Sequence, residues 1–227
     1  MAKQLDLEEQ EQLDQLKHFW KQYGNLITWI LIVLLGGYAA WNGYQYWKRN
    51  EAVQASAMYD ELERQAGLGD PDKVQRAFVD MKDKFGSTTF AWQGALLAAK
   101  VQQEAGKPDQ ARAALEWVAD KASDPGYQAI ARLRLAAVLA QAKDYPAAMA
   151  RLEGDFPPAF AALVADRKGD LLMLQDKPAL ACAQYEKADQ ALGESTEYRR
   201  LVEIKLAALG AEPRVTKATP ATVEGGK

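Results

Sequence analysis

The sequence predicts an all-α protein, with one N-terminal membrane-spanning helix followed by a solenoid of stacked helix pairs. Three observations carry that prediction. Residues 22–47 hold no charged side chain, about 26 positions bounded by Lys21 and Lys48. Beyond Arg49 the chain turns Ala-rich, with Gly, Pro and Asp at intervals and no strand-like alternation. A pattern of small and large residues then recurs at steps of 37, 37 and 33 residues.

The segment 1–21 carries five acidic residues and three lysines, and Leu5, Leu13, Leu16 and Trp20 fall roughly on one face of an amphipathic helix. The stretch 22–47 that follows admits three readings: a cleaved export signal, a permanent anchor, or a soluble core helix. Spanning ~30 Å of hydrocarbon takes roughly 20 residues, so the length suffices. Trp41, Tyr44, Tyr46 and Trp47, then Lys48 and Arg49, form an aromatic and basic belt at one edge, with Trp20 and Tyr23 beside Lys17 and Lys21 at the other. Gly37-Tyr38-Ala39 loosely imitates a cleavage site, but the segment before it is long and acidic where a signal has a short basic one. The reading is an uncleaved single-span anchor. Flanking charges tie at two against two, so they leave its direction open. Gly36 and Ala40 give it a small-xxx-small face suited to a membrane partner.

Residues 48–209 are expected to form the repeat domain. "GDPDKVQRAFVDM" from Gly69, "GKPDQARAALEWV" from Gly106, "KDYPAAMARLEGD" from Lys143 and "DKPALACAQYEKA" from Asp176 stack in one frame. Val74, Ala111, Ala148 and Ala181 then coincide, and four residues later so do Phe78, Leu115, Leu152 and Tyr185. Twelve residues before each small position stand Leu62, Ala99, Ala136 and Gly169. Small residues let two helix backbones approach, and the large one fills the groove between units, so neighbours must stack to bury their apolar faces. The long steps predict extra residues in the turns around "SDPGY" and before "GSTTF". "ESTEYRRLVEIKLAAL" from Glu194 reads as a terminal capping helix with charges outward, and 210–227 as a disordered tail.

This spacing, with an Ala and then a bulky residue in the second helix, resembles the tetratricopeptide repeat, which makes the expected fold an all-α tetratricopeptide-like solenoid. Gln102, Leu139 and Leu172 stand where that repeat usually has a first-helix aromatic. The resemblance implies a protein-binding inner face of Tyr59, Glu63, Gln93, Leu96, Lys100 and Gln103, continued by Ile130, Leu133 and Ala137, then Asp166, Asp170 and Met173. Only Lys100 among these is basic, so the face suits a mixed apolar-acidic groove for a protein segment better than a carboxylate clamp. Asp166 and Asp170 read as a solvated pair beside Arg167 and Lys168, Cys182 as a buried small side chain, Trp92 and Trp117 as packing residues, and His18 as incidental.

One cysteine, one histidine and a net charge of -3 leave no disulfide framework, zinc cluster, nucleophile–base pair or nucleic-acid stripe. No enzyme and no cofactor is expected. "LKHFWKQYGN", "GYAAWNGYQYWKRNEAVQASAMYDEL" and "FAALVADRKGDLLMLQDKPALACAQYEKA" resemble the bacterial family of ancillary SecYEG translocon subunits. That resemblance implies a single-pass inner-membrane protein with 1–21 cytoplasmic and the repeat domain periplasmic. It further implies partners: the SecYEG translocon, a membrane-anchored periplasmic chaperone of the prolyl-isomerase type, exported client proteins and membrane lipid. A membrane-anchored scaffold for another envelope assembly or cell-division complex is the alternative.

Overall fold

The structure, a computed structural model, describes residues 7–192 and 197–211, with side chains described from residue 13 onward. Leu5, Glu194 and the tail beyond Ala211 therefore lie outside the described residues. The chain divides into two compact units, Met1–Gln54 and Ala55–Lys227. Among the described residues every regular element is helical.

The first unit is built on helix α1, Leu7–Gly67. Among the described residues it is the one helix long and apolar enough, by length and composition, to cross a membrane. Leu31, Ile32, Val33, Leu34 and Leu35 are each 50–69% exposed. Soluble monomers rarely leave a contiguous apolar surface of this extent facing water, which disfavours the core-helix reading. Two polar side chains in the stretch turn to the helix's own carbonyls: the Thr28 hydroxyl donates to Gly24 O at 2.7 Å and Asn42 Nδ2 to Tyr38 O at 3.4 Å. At the C-terminal edge Lys48 Nζ lies 5.0 Å from the centre of the Tyr44 ring.

The second unit begins inside α1 and continues through α2 (Pro71–Phe85), α3 (Thr89–Glu104), α4 (Pro108–Lys121), α5 (Pro125–Gln141), α6 (Tyr145–Arg151), α7 (Ala161–Met173), α8 (Pro178–Ala191) and α9 (Glu197–Ala208). From α2 onward each helix packs on the next, and α5 also touches α3 and α7, as a solenoid of helix pairs requires. The hairpin turns share one chemistry. A residue in the left-handed region ends the first helix, Gly69, Gly106, Lys143 or Asp176 (φ 72°, 72°, 61° and 56°). The next residue is the N-cap, and at Asp70 and Asp144 its carboxylate accepts the backbone N–H three residues on. Proline at the first or second helical position completes the start.

Packing follows the repeat frame. Val74, Ala111, Ala148 and Ala181 are buried, as are Phe78, Leu115, Leu152 and Tyr185, and Leu62, Ala99 and Ala136. Gly169 lies so close to Tyr185 that an added Cβ would overlap the ring. The tryptophans pack between units: Trp92 stands 5.7 Å from Tyr127 and Trp117 stands 5.9 Å, edge-on, from Phe78. Gln102, in the aromatic's place, is buried and donates to Pro71 O at 2.7 Å, tying α3 to the start of α2.

Three local expectations are corrected. The connections 86–88 and 122–124 are only three residues each, so the added length lies in helices rather than turns. The second helix of the third unit, α6, stops after seven residues. Gly154 then turns at φ 82°, and Pro158–Phe160 forms a 3-10 turn. Arg132 supports that break by donating to Arg151 O at 3.0 Å, Asp155 O at 2.9 Å and Glu153 O, with its guanidinium 3.9 Å from the Phe156 ring centre. Beyond the break a second, smaller core forms from Ala165, Ala181, Tyr185, Ala188, Val202 and Leu206. Cys182 is half-buried at its edge rather than fully enclosed.

Candidate functional site

The first helices of successive units meet along seams, and the expected binding residues lie at those seams in three different states. Some are engaged by the next unit. Tyr59 is half-buried with its ring 6.1 Å from Phe90, and Gln93 Nε2 donates to the Tyr127 hydroxyl at 2.7 Å. Gln103 Nε2 donates to Gln141 Oε1 across the α3–α5 seam. Others face outward: Glu63, Lys100 and Met173 are exposed.

Between α3 and α5 a cavity of about 260 Å³ opens. Ala99, Leu115, Ala137 and Val138 make its apolar floor. Gln103 and Gln141 line it together with Lys100, Glu104 and Arg134. Small side chains on both helices create the space, because Ala99 and Ala137 leave the backbones without bulk at the crossing. Lys100 Nζ is 3.9 Å from Glu104, both mostly exposed, and Arg134 Nη1 donates to Leu96 O at 3.3 Å. An apolar recess with a few polar groups at its edge is the usual form of a binding site. Here the edge carries two cations against one carboxylate, so this stretch of the face is basic where a mixed apolar-acidic groove was expected.

The third state belongs to Asp166 and Asp170. Asp166 is 2% exposed, not solvated as expected, and Asp170 is half-buried. Lys205 of α9 reaches Asp166 Oδ1 and Oδ2 at 2.7 and 2.9 Å and Asp170 Oδ1 at 2.7 Å. The Tyr198 hydroxyl donates to Asp166 Oδ2 at 2.6 Å, and that of Tyr185 to Asp170 Oδ1 at 2.9 Å. Burial and these carboxylates push both phenols well above the usual tyrosine range. Arg199 of α9 is likewise buried against Asp189 at 2.9 Å. Two charges of the terminal helix, Arg199 and Lys205, thus turn inward, while Glu197 and Arg200 stay exposed as expected and Leu201 and Ile204 face out. Carboxylates taken out of water need cations more than the outer surface does. The Cys182 thiol is pushed up by burial and then by Glu186, which disfavours the thiolate. On α1, Gly36 and Ala40 are exposed, and a Cβ added to Gly36 would meet nothing within 4 Å.

The sequence profile of the tetratricopeptide repeat-like domain matches residues 17–211. The chain is 31% identical over 204 residues to the "Ancillary SecYEG translocon subunit" of Neisseria gonorrhoeae, covering 89% of this chain and 98% of that protein. This chain belongs to the ancillary SecYEG translocon subunit family. Proteins of the same name from Haemophilus influenzae and Escherichia coli are each 28% identical to it. They cover 82% and 73% of this chain, and 90% and 79% of their own lengths. No solved structure matches it significantly.

In this translocon-subunit family member, sequence reasoning reached the α3 side of the cavity at Lys100 and Gln103 and the α5 side at Ala137. It missed Arg134, Gln141, Glu104 and Val138, and read Ala99 and Leu115 as packing positions only. Arg134 lies four residues after Ile130, and Gln141 four after Ala137, so both share the face already chosen on α5. Continuing the i, i+4 step was the signal that finds them.

Proposed function

We propose that this protein is a non-enzymatic accessory subunit of the Sec translocon that binds partner proteins and helps pass newly exported proteins to periplasmic chaperones. The observation that carries the reading is similarity along nearly the whole chain to relatives of that name. In this reading 22–47 is a single span of the bacterial inner membrane. Residues 1–21 lie in the cytoplasm, while 48–209 form the periplasmic repeat domain and 210–227 the tail. The uncovered apolar surface of α1 supports the anchor. Gly36 and Ala40, open on the helix, are the face offered to the channel. The seam residues Tyr59, Glu63, Gln93, Lys100, Gln103, Asp166, Asp170 and Met173 belong to the partner-binding region, with Lys100 and Gln103 at its open cavity. A membrane-anchored prolyl-isomerase-type chaperone and exported clients are the partners expected there.

Site-specific photo-crosslinking from Gly36 and from Lys100 in native membranes tests this. Channel adducts from Gly36, with chaperone or client adducts from Lys100, are expected. Adducts confined to division or cell-wall machinery would establish the scaffold alternative instead.

A further inference from the structure

We propose that the α3–α5 cavity is a binding site for an extended protein segment that carries a large apolar side chain beside an acidic one. The proposal rests on the partner-binding reading above and adds the chemistry of what is bound. At about 260 Å³ the cavity is below the ~300–1,000 Å³ usual for small-molecule sites and suits a single side chain. Its floor of Ala99, Leu115, Ala137 and Val138 offers that side chain no polar partner.

The rim selects the neighbour. Lys100 and Glu104 are 64% and 65% exposed at 3.9 Å, a pair worth little in water and readily exchanged for a better one. Arg134 brings a second cation, whose planar fork takes a carboxylate in two-point fashion. Gln103 and Gln141, bonded to each other across the seam, supply the amide donors and acceptors that an extended backbone needs.

The fold holds a complementary example. At the α7–α9 seam the carboxylates Asp166 and Asp170 are filled by the chain's own Lys205. At the α3–α5 seam the charges are reversed, the cations stand on the wall, and no segment of the described chain fills the gap. An acidic, apolar-anchored segment is the occupant that completes it.

The test uses the full chain in detergent micelles with three fluorescein-labelled peptides, Gly-Ser-Glu-Phe-Glu-Ser-Gly and its Lys-Phe-Lys and Glu-Ala-Glu counterparts, titrated by fluorescence anisotropy. The Glu-Phe-Glu peptide is expected to bind at least tenfold tighter than either control. Ala137→Phe, which fills the cavity, should weaken it at least tenfold with unchanged helical circular dichroism. The double variant Lys100→Glu, Arg134→Glu should switch preference to the Lys-Phe-Lys peptide, a gain that misfolding cannot produce. Equal binding of all three peptides, binding of none, preference of the native chain for lysine, or no switch in the double variant overturns the proposal. If channel adducts from Gly36 persist in that case, only this inference falls and the accessory-subunit reading stands.

Discussion

Four residues carry the left-handed backbone on which the repeat turns depend, and only two of them are glycine. At Gly69 and Gly106 the conformation is free of Cβ strain, whereas Lys143 and Asp176 adopt it with a side chain. Lys143→Gly should therefore raise stability by about 0.5–1 kcal/mol, and Gly106→Ala should lower it by about 1 kcal/mol, both read from urea unfolding of the full chain. A second contrast separates two buried glycines. A methyl at Gly169 would meet the Tyr185 ring, which is buried and held by its bond to Asp170, so nothing there yields. A methyl at Gly94 would meet the Met81 sulfur at 2.8 Å, a thioether on three rotatable bonds. Gly169→Ala should cost about 2–3 kcal/mol and Gly94→Ala clearly less in the same measurement.

Among the elements, α9 is the one whose hold depends most on charge. Lys205→Met leaves Asp166 buried without its cation and should destabilise the domain by about 3 kcal/mol, whereas pairing it with Asp166→Asn should recover most of the loss in a double-mutant cycle. The phenols of Tyr185 on α8 and Tyr198 on α9 give a pH signature. Their folded pKa values are raised above the ordinary 10.0, so their contribution is complete below pH 10 and is lost as pH rises above it. Thermal melts between pH 8 and 11 should show stability falling at the alkaline end, and Tyr185→Phe with Tyr198→Phe should flatten the fall. This cluster also marks where sequence stops informing. The hairpins were legible because their turns are written locally, in "GDP", "GKP" and "DKP". The pairing of Asp166 with Tyr198 and Lys205 spans 32 and 39 residues, and no local pattern announces it. The early end of α6 was hidden for the same reason, since Arg132 supports it from 19 to 23 residues upstream. Half of the cavity was read because α3 and α5 repeat one face; the rest needed the positions of two helices together.

For the whole molecule the open question of sequence, direction across the membrane, becomes a measurable consequence of the charge tie. Lys17 and Lys21 stand on one side of the span and Lys48 and Arg49 on the other. Positive charge is retained on the cytoplasmic side, so an even count holds the native orientation only weakly. If 1–21 is cytoplasmic, Lys48→Gln with Arg49→Gln removes the opposing pair and keeps the repeat domain outside. Lys17→Gln with Lys21→Gln removes the favourable pair and should invert a substantial fraction of the chains. The readout is a cysteine at Lys100, exposed on α3, placed in a Cys182→Ser background that has no other thiol. A membrane-impermeant maleimide applied to intact spheroplasts should label it fully in the parent and in the Lys48/Arg49 variant, and only partly in the Lys17/Lys21 variant. The reverse pattern would place the repeat domain in the cytoplasm and end the proposed hand-over of exported proteins. Equal, complete labelling of all three would mean that the direction is set by something stronger than flanking charge, with the proposed contact of α1 at Gly36 and Ala40 the first place to look.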